Sequence, residues 1–237
     1  LESASQGSVV IEILTAGKKY GQGQSLAGKK INLEFVSANP TGPIHLGHTR
    51  WAAVGDSLGR VLSAAGAQVS REFYVNDRGN QMDLFGQSLR AAALGIDRPE
   101  NGYHGEYIAD LANEIIKKNP EFTKLDEESG IVAFREAGYK LQLELQREVL
   151  ENFGTHFDTW FSERSLYEDN FFNHTLDKLK SNGHVYEEEG AIWLRTTDFG
   201  DDKDRVMIKS DGSFAYFASD SAYYISKRER GFNLCIY

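Results

Sequence analysis

The sequence predicts an α/β fold in which a parallel sheet is interrupted by a largely helical insertion carrying a small β-hairpin. Three observations carry that prediction. Residues 31–36 and 69–75 alternate apolar and polar side chains with a β-branched and aromatic bias, the period of strands. Between them Trp51, Val54, Leu58, Val61, Leu62 and Ala65 recur at helical steps, which predicts one apolar helix face. Strand, helix and strand within about 45 residues form a βαβ unit, which dictates parallel strands and a right-handed crossover. Helical spacing then dominates the middle third of the 237 residues.

Taken in order, residues 9–14 form a short apolar run, expected as the last strand of an N-terminal domain. The Gly- and Gln-rich stretch 17–28 follows as a linker, so residues 1–28 form one unit. The strand at 31–36 is broken by the loop Ser37-Ala38-Asn39-Pro40-Thr41-Gly42-Pro43, and the helix runs from His45 to near Gly66. Residues 29–83 are therefore read as the first half of the sheet domain. In such sheets ligands sit beyond the carboxyl ends of the strands, here at 37–46 and 76–81. Residues 84–204 are assigned to the insertion, with helices at 103–119, 131–153 and 170–182 and a strand at 191–197. Residues 205–237 return to the sheet through strands at 205–210 and 214–217. Asp211-Gly212 between them predicts a two-residue type I′ turn. A last helix begins at Ser219 or Asp220 and stops at Gly231. Its final turn, Lys227-Arg228-Glu229-Arg230, is expected in solvent, complementing the helix dipole. No internal repeat is present.

Composition narrows the class. The longest apolar runs are a few residues, far below the ~20 of a membrane span, and none has the form of an export signal. The single cysteine, Cys235, fits a reducing compartment, so a cytoplasmic setting is expected. A net charge of −9 argues against a globally basic nucleic-acid surface. It leaves local patches open and suits a cationic substrate.

The densest motif is His45-Leu46-Gly47-His48, placed where a strand's loop feeds a helix N-terminus. Such a terminus offers unpaired N–H groups and a positive dipole end to an anion. Gly47 admits close backbone approach, and two imidazoles three positions apart can donate to phosphate oxygens as charge develops there. The pattern points to adenylate or nucleotidyl transfer. The competing reading is that both histidines only cap the helix. Zinc is disfavoured, because no other pair among six histidines and one cysteine has ligand spacing.

Residues 32–50, containing this motif and the preceding loop, resemble the first signature region of arginyl-tRNA synthetases, which are class I aminoacyl-tRNA synthetases. Val75-Asn76-Asp77-Arg78-Gly79-Asn80-Gln81 and residues 210–220 resemble two further blocks of that family, in the same order. The resemblance implies a Rossmann-like class I nucleotide-binding fold and a two-step reaction. L-Arginine and ATP would give arginyl-adenylate and pyrophosphate, with the tRNA present; the arginyl group would then pass to the terminal adenosine of tRNA(Arg). It implies that His45, Gly47 and His48 meet ATP, with His45 and His48 catalytic and Mg2+ carried by the nucleotide. A guanidinium is a planar, permanently charged fork of five donors, so a selective pocket needs fixed carboxylates. The resemblance places Glu34, Asp220 and Tyr216 there, Asn39 at the α-amino group, and Gln81 and Asp77 in the same pocket. On their own residues, Glu34 reads as a solvated strand residue, Asp220 as a cap and Tyr216 as a strand aromatic.

Two departures qualify the match. No Lys-Met-Ser-Lys-Ser-like signature is present, and Gly42 stands where some relatives carry a substituting lysine. There is also no length for an anticodon-reading domain. The expectation is a monomeric piece of a larger enzyme, inactive alone. The alternatives are another class I synthetase or nucleotidyltransferase, or a non-catalytic binding module.

Overall fold

The computed structural model describes residues 3–168 and 171–237. Four strands form a parallel sheet in the order β3-β2-β1-β7, where β1 is Lys30–Glu34, β2 Gln68–Val75, β3 Thr159–Ser162 and β7 Leu234–Ile236. Helix α2 (Leu46–Ala64) makes the β1-to-β2 crossover. With β2 and β3 on one side of β1 and β7 on the other, the strand order reverses at β1. A crevice therefore opens beyond the carboxyl ends of β1 and β7, the switch point where doubly wound sheets hold ligands.

Side-chain alternation assigns the two faces. Phe73 and Val75 of β2 turn toward α2 and join Val36, Ala38, Ala52, Leu143 and Leu150 in one core. Glu72 and Tyr74 turn the other way, toward α7 (Tyr216–Glu229). A second core unites Met82, Phe85 and Leu89 of α3 (Asn80–Leu94) with Ile108 and Ile115 of α4 (Glu106–Lys118) and Phe134 of α5 (Glu127–Asn152). Asp126 caps α5, accepting from the Ser129 N–H at 3.0 Å. A third core packs α7 and α6 (Phe171–Ser181) on the antiparallel sheet β4-β5-β6, formed by Val185–Glu188, Ala191–Leu194 and Arg205–Ile208.

Several expectations need correction. The run at 9–14 lies in a helix, α1 (Ser3–Ala16), rather than a strand. Helix α2 has the expected period but the opposite buried face. Trp51, Val54 and Val61 are 55%, 63% and 65% exposed, and Ala52, Gly55 and Gly59 are buried instead. Phe35 explains this: a Cβ on Gly55 would come within 2.2 Å of its ring, so only glycine lets helix and aromatic meet. Helix α3 and strands β3, β4 and β7 were not expected, and β3 adds to the main sheet from inside the stretch assigned to the insertion. The expected helix start Asn170 lies outside the described residues.

The 205–217 region also differs. Phe214 makes an isolated bridge to Ile208, and α7 begins at Tyr216, ahead of the expected start. Gly212 has positive φ but Asp211 does not, and Lys209 N–H donates to Ser213 O at 2.9 Å around a three-residue loop. A type I′ turn needs positive φ at both central residues. Glu189 (φ 51°) and Gly190 (φ 75°), between β4 and β5, meet that requirement. Lys227, expected in solvent, is wholly buried.

Candidate active site

The chain leaves β1 through two residues in the left-handed region, Val36 (φ 66°) and Ser37 (φ 41°), which swings the following loop off the sheet. Helix α5 holds that loop from below. Gln146 Nε2 donates to the carbonyls of Asn39 (2.9 Å) and Gly42 (2.7 Å), Gln142 Nε2 donates to Gly42 O (3.0 Å), and Tyr107 OH donates to Thr41 O (2.9 Å). The loop delivers His45 as the N-cap of α2. Gly47 N–H donates to His45 Nδ1 at 3.1 Å and His45 N–H donates to His48 Nδ1 at 3.3 Å, while the rings stack with centroids 3.6 Å apart. Both Nδ1 atoms are acceptors, so in the neutral rings both protons sit on Nε2, facing away from the helix backbone. Partial burial, and then the neighbouring His45, push the His48 pKa below its ordinary value, which favours that neutral donor form. Capping and anion donation are thus compatible roles for one pair of rings.

Beside this turn, at the carboxyl end of the sheet, acids collect. Glu34 and Glu72 are register partners on β1 and β2, two carboxylates side by side on one face. Glu72 is fully buried and is met by Arg230 and by Tyr223 OH (2.6 Å). Burial alone would raise its carboxyl, but the Arg230 and Tyr223 hydrogen bonds and the Arg230 and Lys227 charges hold it below the carboxylate range. Glu34 Oε2 accepts from Lys227 Nζ (2.7 Å) and Tyr223 OH (2.8 Å), and Oε1 accepts from Ser37 Oγ (3.2 Å).

Asp220, on the open side of α7, lies within the field of Glu34. Its carboxyl is pushed up by burial and then by the Glu34 charge. A third acid, Glu163, follows β3. Burial raises it, the Arg78 charge opposes, and Asp77 and Asp220 raise it again, while Tyr74 OH donates to it. Tyr167 closes this side: its ring carries the Arg78 guanidinium at 3.2 Å, and its hydroxyl lies 3.0 Å from Ser219 Oγ beside Asp220. A cleft of 380 Å³ runs from Glu34 and Ser37 past Trp51 and Gly55 to Tyr237. Trp51 links it to the histidine turn, with centroids 6.3 Å from His48.

The structure sorts the other expected residues. Asn39 Nδ2 donates to Gln81 Oε1 at 3.0 Å, which brings those two together at the strand ends. Asp77 is 1% exposed and stands behind the pocket wall rather than in it. It accepts from Tyr139 OH (3.0 Å), Ser162 Oγ (2.5 Å) and Arg164 N–H (3.1 Å), and so ties the turn after β2 to α5 and β3. Tyr216 is 94% exposed, one helical turn before Asp220, and touches neither acid. Among the described residues no three or more His, Cys, Asp or Glu side chains converge on a metal position, and no helix is long and apolar enough to cross a membrane.

A strand-end site of this kind has known counterparts. The family model for "tRNA synthetases class I (R), catalytic domain" matches residues 9–237. The chain belongs to that family. It is similar to arginine–tRNA ligases from Renibacterium salmoninarum (51% identical) and Paenarthrobacter aurescens (48%), each matched over all 237 residues and over 43% of its own length. The chain therefore spans less than half the length of these curated relatives. A Campylobacter jejuni structure described as an arginyl-tRNA synthetase superposes with TM-score 0.88 at 37% identity, over 99% of this chain and 53% of that one. Thermus thermophilus arginyl-tRNA synthetase shares the fold at TM-score 0.63 and 22% identity, over 91% of this chain and 39% of its own. Within this class I scaffold, sequence reasoning missed Glu163, Tyr223 and Lys227. The first sits after a strand too short to show a period. The other two sit on a helix face whose burial follows from the register pairing of Glu34 with Glu72.

Proposed function

We propose that this chain forms the arginine pocket and the histidine half of the ATP site of an arginine–tRNA ligase. The observation that carries the proposal is that Asp220, remote in sequence, feels the charge of Glu34, and that Glu34 lines a strand-end cleft whose Trp51 reaches the stacked histidines. Asp220, whose carboxyl is raised by burial and then by the Glu34 charge, has no cationic partner among the described residues, and a guanidinium supplies one. Glu34 and Asp220 take the guanidinium, with Glu163 adding negative charge. One N–H of the Asn39 amide goes to Gln81 and fixes the group's orientation, with Oδ1 as acceptor for the α-ammonium.

In the first step an arginine carboxylate oxygen attacks the α-phosphorus of ATP and the bond to the β-phosphate bridge breaks, releasing pyrophosphate. The outward Nε2–H groups of His45 and His48 hydrogen-bond the phosphate oxygens as charge shifts among them. In the second step a hydroxyl of the tRNA's terminal adenosine attacks the arginyl carbonyl and AMP leaves. Magnesium arrives on the nucleotide, held by phosphate oxygens and water. Cys235 as the single cysteine fits work in the cytoplasm. Turnover needs the lysine-rich signature absent from these residues, so this chain alone gives no appreciable pyrophosphate exchange.

Calorimetric titration tests the reading. L-Arginine is expected to bind the 237-residue chain, and citrulline, of similar shape but neutral, to bind at least about tenfold more weakly, the scale of one charged hydrogen bond. Equal affinities, or none for arginine, would count against the proposal.

A further inference from the structure

One buried charge has no part in the reaction as described. Lys227 lies two helical turns beyond Asp220, and among the described residues it is the one lysine in the buried interior. Its Nζ donates to Glu34 Oε2 at 2.7 Å and lies 4.0 Å from Glu72 Oε1. The rings of Tyr223 and Tyr237 close over it at 4.2 and 4.0 Å. A lysine serving only the helix dipole would stay in water, as the exposed Arg228 does. Burying an ammonium is costly unless acceptors are in place, and here the acceptor is the carboxylate assigned to the substrate. Oε2 of Glu34 is already occupied by Lys227 and Tyr223, whereas among the described residues Oε1 accepts from Ser37 Oγ alone, on the cleft side.

We infer that Lys227 is a positioning residue for arginine recognition: it clamps Oε2 of Glu34, so that Oε1 is the oxygen offered to the guanidinium, and it sets a positive charge between two carboxylates paired across adjacent strands. The inference rests on the reading of Glu34 as a guanidinium partner. Without Lys227, Glu72 keeps Arg230 while Glu34 loses its ion pair, and neighbouring acids without enough counter-charge take up a proton at higher pH. The titratable and charged groups facing them from the sheet side are Glu34, Glu72 and Tyr74, with Glu163 after β3. From α7 they are Asp220 and Tyr223, with Arg230 at its C-cap and Cys235 and Tyr237 beside the ammonium.

The test is arginine calorimetry on the whole 237-residue chain and its Lys227→Met variant from about pH 5 to about pH 9. At the alkaline end the variant is expected to bind within about threefold of wild type, and at the acidic end about tenfold or more weakly, so its affinity curve is displaced to higher pH. In a Glu34→Gln background the same substitution gives no such displacement. An equal loss at every pH, which a merely structural lysine would produce, overturns the inference, as does no loss. Should Lys227→Met fail to fold, the wild-type chain decides. Its shielded ammonium gives a slowly exchanging NMR resonance that must shift on arginine addition; an unmoved resonance at saturation overturns the inference. Absence of arginine binding by wild type fails the proposed function and this inference together, whereas wild-type binding with a pH-independent loss fails the inference alone.

Discussion

At the scale of single residues, the acids divide by what already satisfies them. Asp220 and Glu163 have raised carboxyls, so protons compete with a cationic ligand for both. The proposed arginine affinity is therefore expected to be full above those raised values and to fall as pH drops through them, which titrations between about pH 7 and pH 4 will record. Asp220→Asn should weaken arginine binding by about 1.5–3 kcal/mol in the same assay, with little change in the unfolding midpoint. Asp77 should behave in the opposite way. Asp77→Ala strands Tyr139 OH, Ser162 Oγ and the Arg164 N–H in the interior, and should cost about 3 kcal/mol in chemical denaturation. The contrast is not visible in the sequence, where both are polar residues within matching blocks. What separates them is the set of donors that α5 and β3 bring from 62 and 85 positions away.

At the scale of elements, α2 shows what periodicity can and cannot deliver. Its length and period were legible, because helical steps recur across it, and so was the pairing of β1 with β2. Which face is buried was not, because apolar stripes compete with small-residue stripes and Phe35 decides between them. Gly55→Ala should cost about 1–3 kcal/mol, since the added Cβ meets the inner ring atoms of Phe35, which cannot swing away. Strands β3 and β7, of four and three residues, are too short for an alternation to register, and their places come from parallel pairing alone. The histidine turn was legible as a motif. That its two Nδ1 atoms serve the helix and leave the Nε2 atoms outward needed the capping geometry.

For the whole molecule, the exposed stripe of Trp51, Val54, Leu58 and Val61 predicts self-association. Val54→Lys with Val61→Glu should lower the association seen in sedimentation and leave stability within about 0.5 kcal/mol per site, whereas a true core face would lose far more. The layer between the parallel sheet and α7 behaves differently. Glu34, Glu72 and Lys227 meet there with little solvent between them, and Arg230 completes the charge balance from the more exposed edge. Dissolved electrolyte weakens attractions across water much more than those in a dry interior. Rising ionic strength should therefore erode the capture of a cation at the open carboxylate of Asp220 while α7 stays seated, so that the same protein releases its ligand in brine without coming apart.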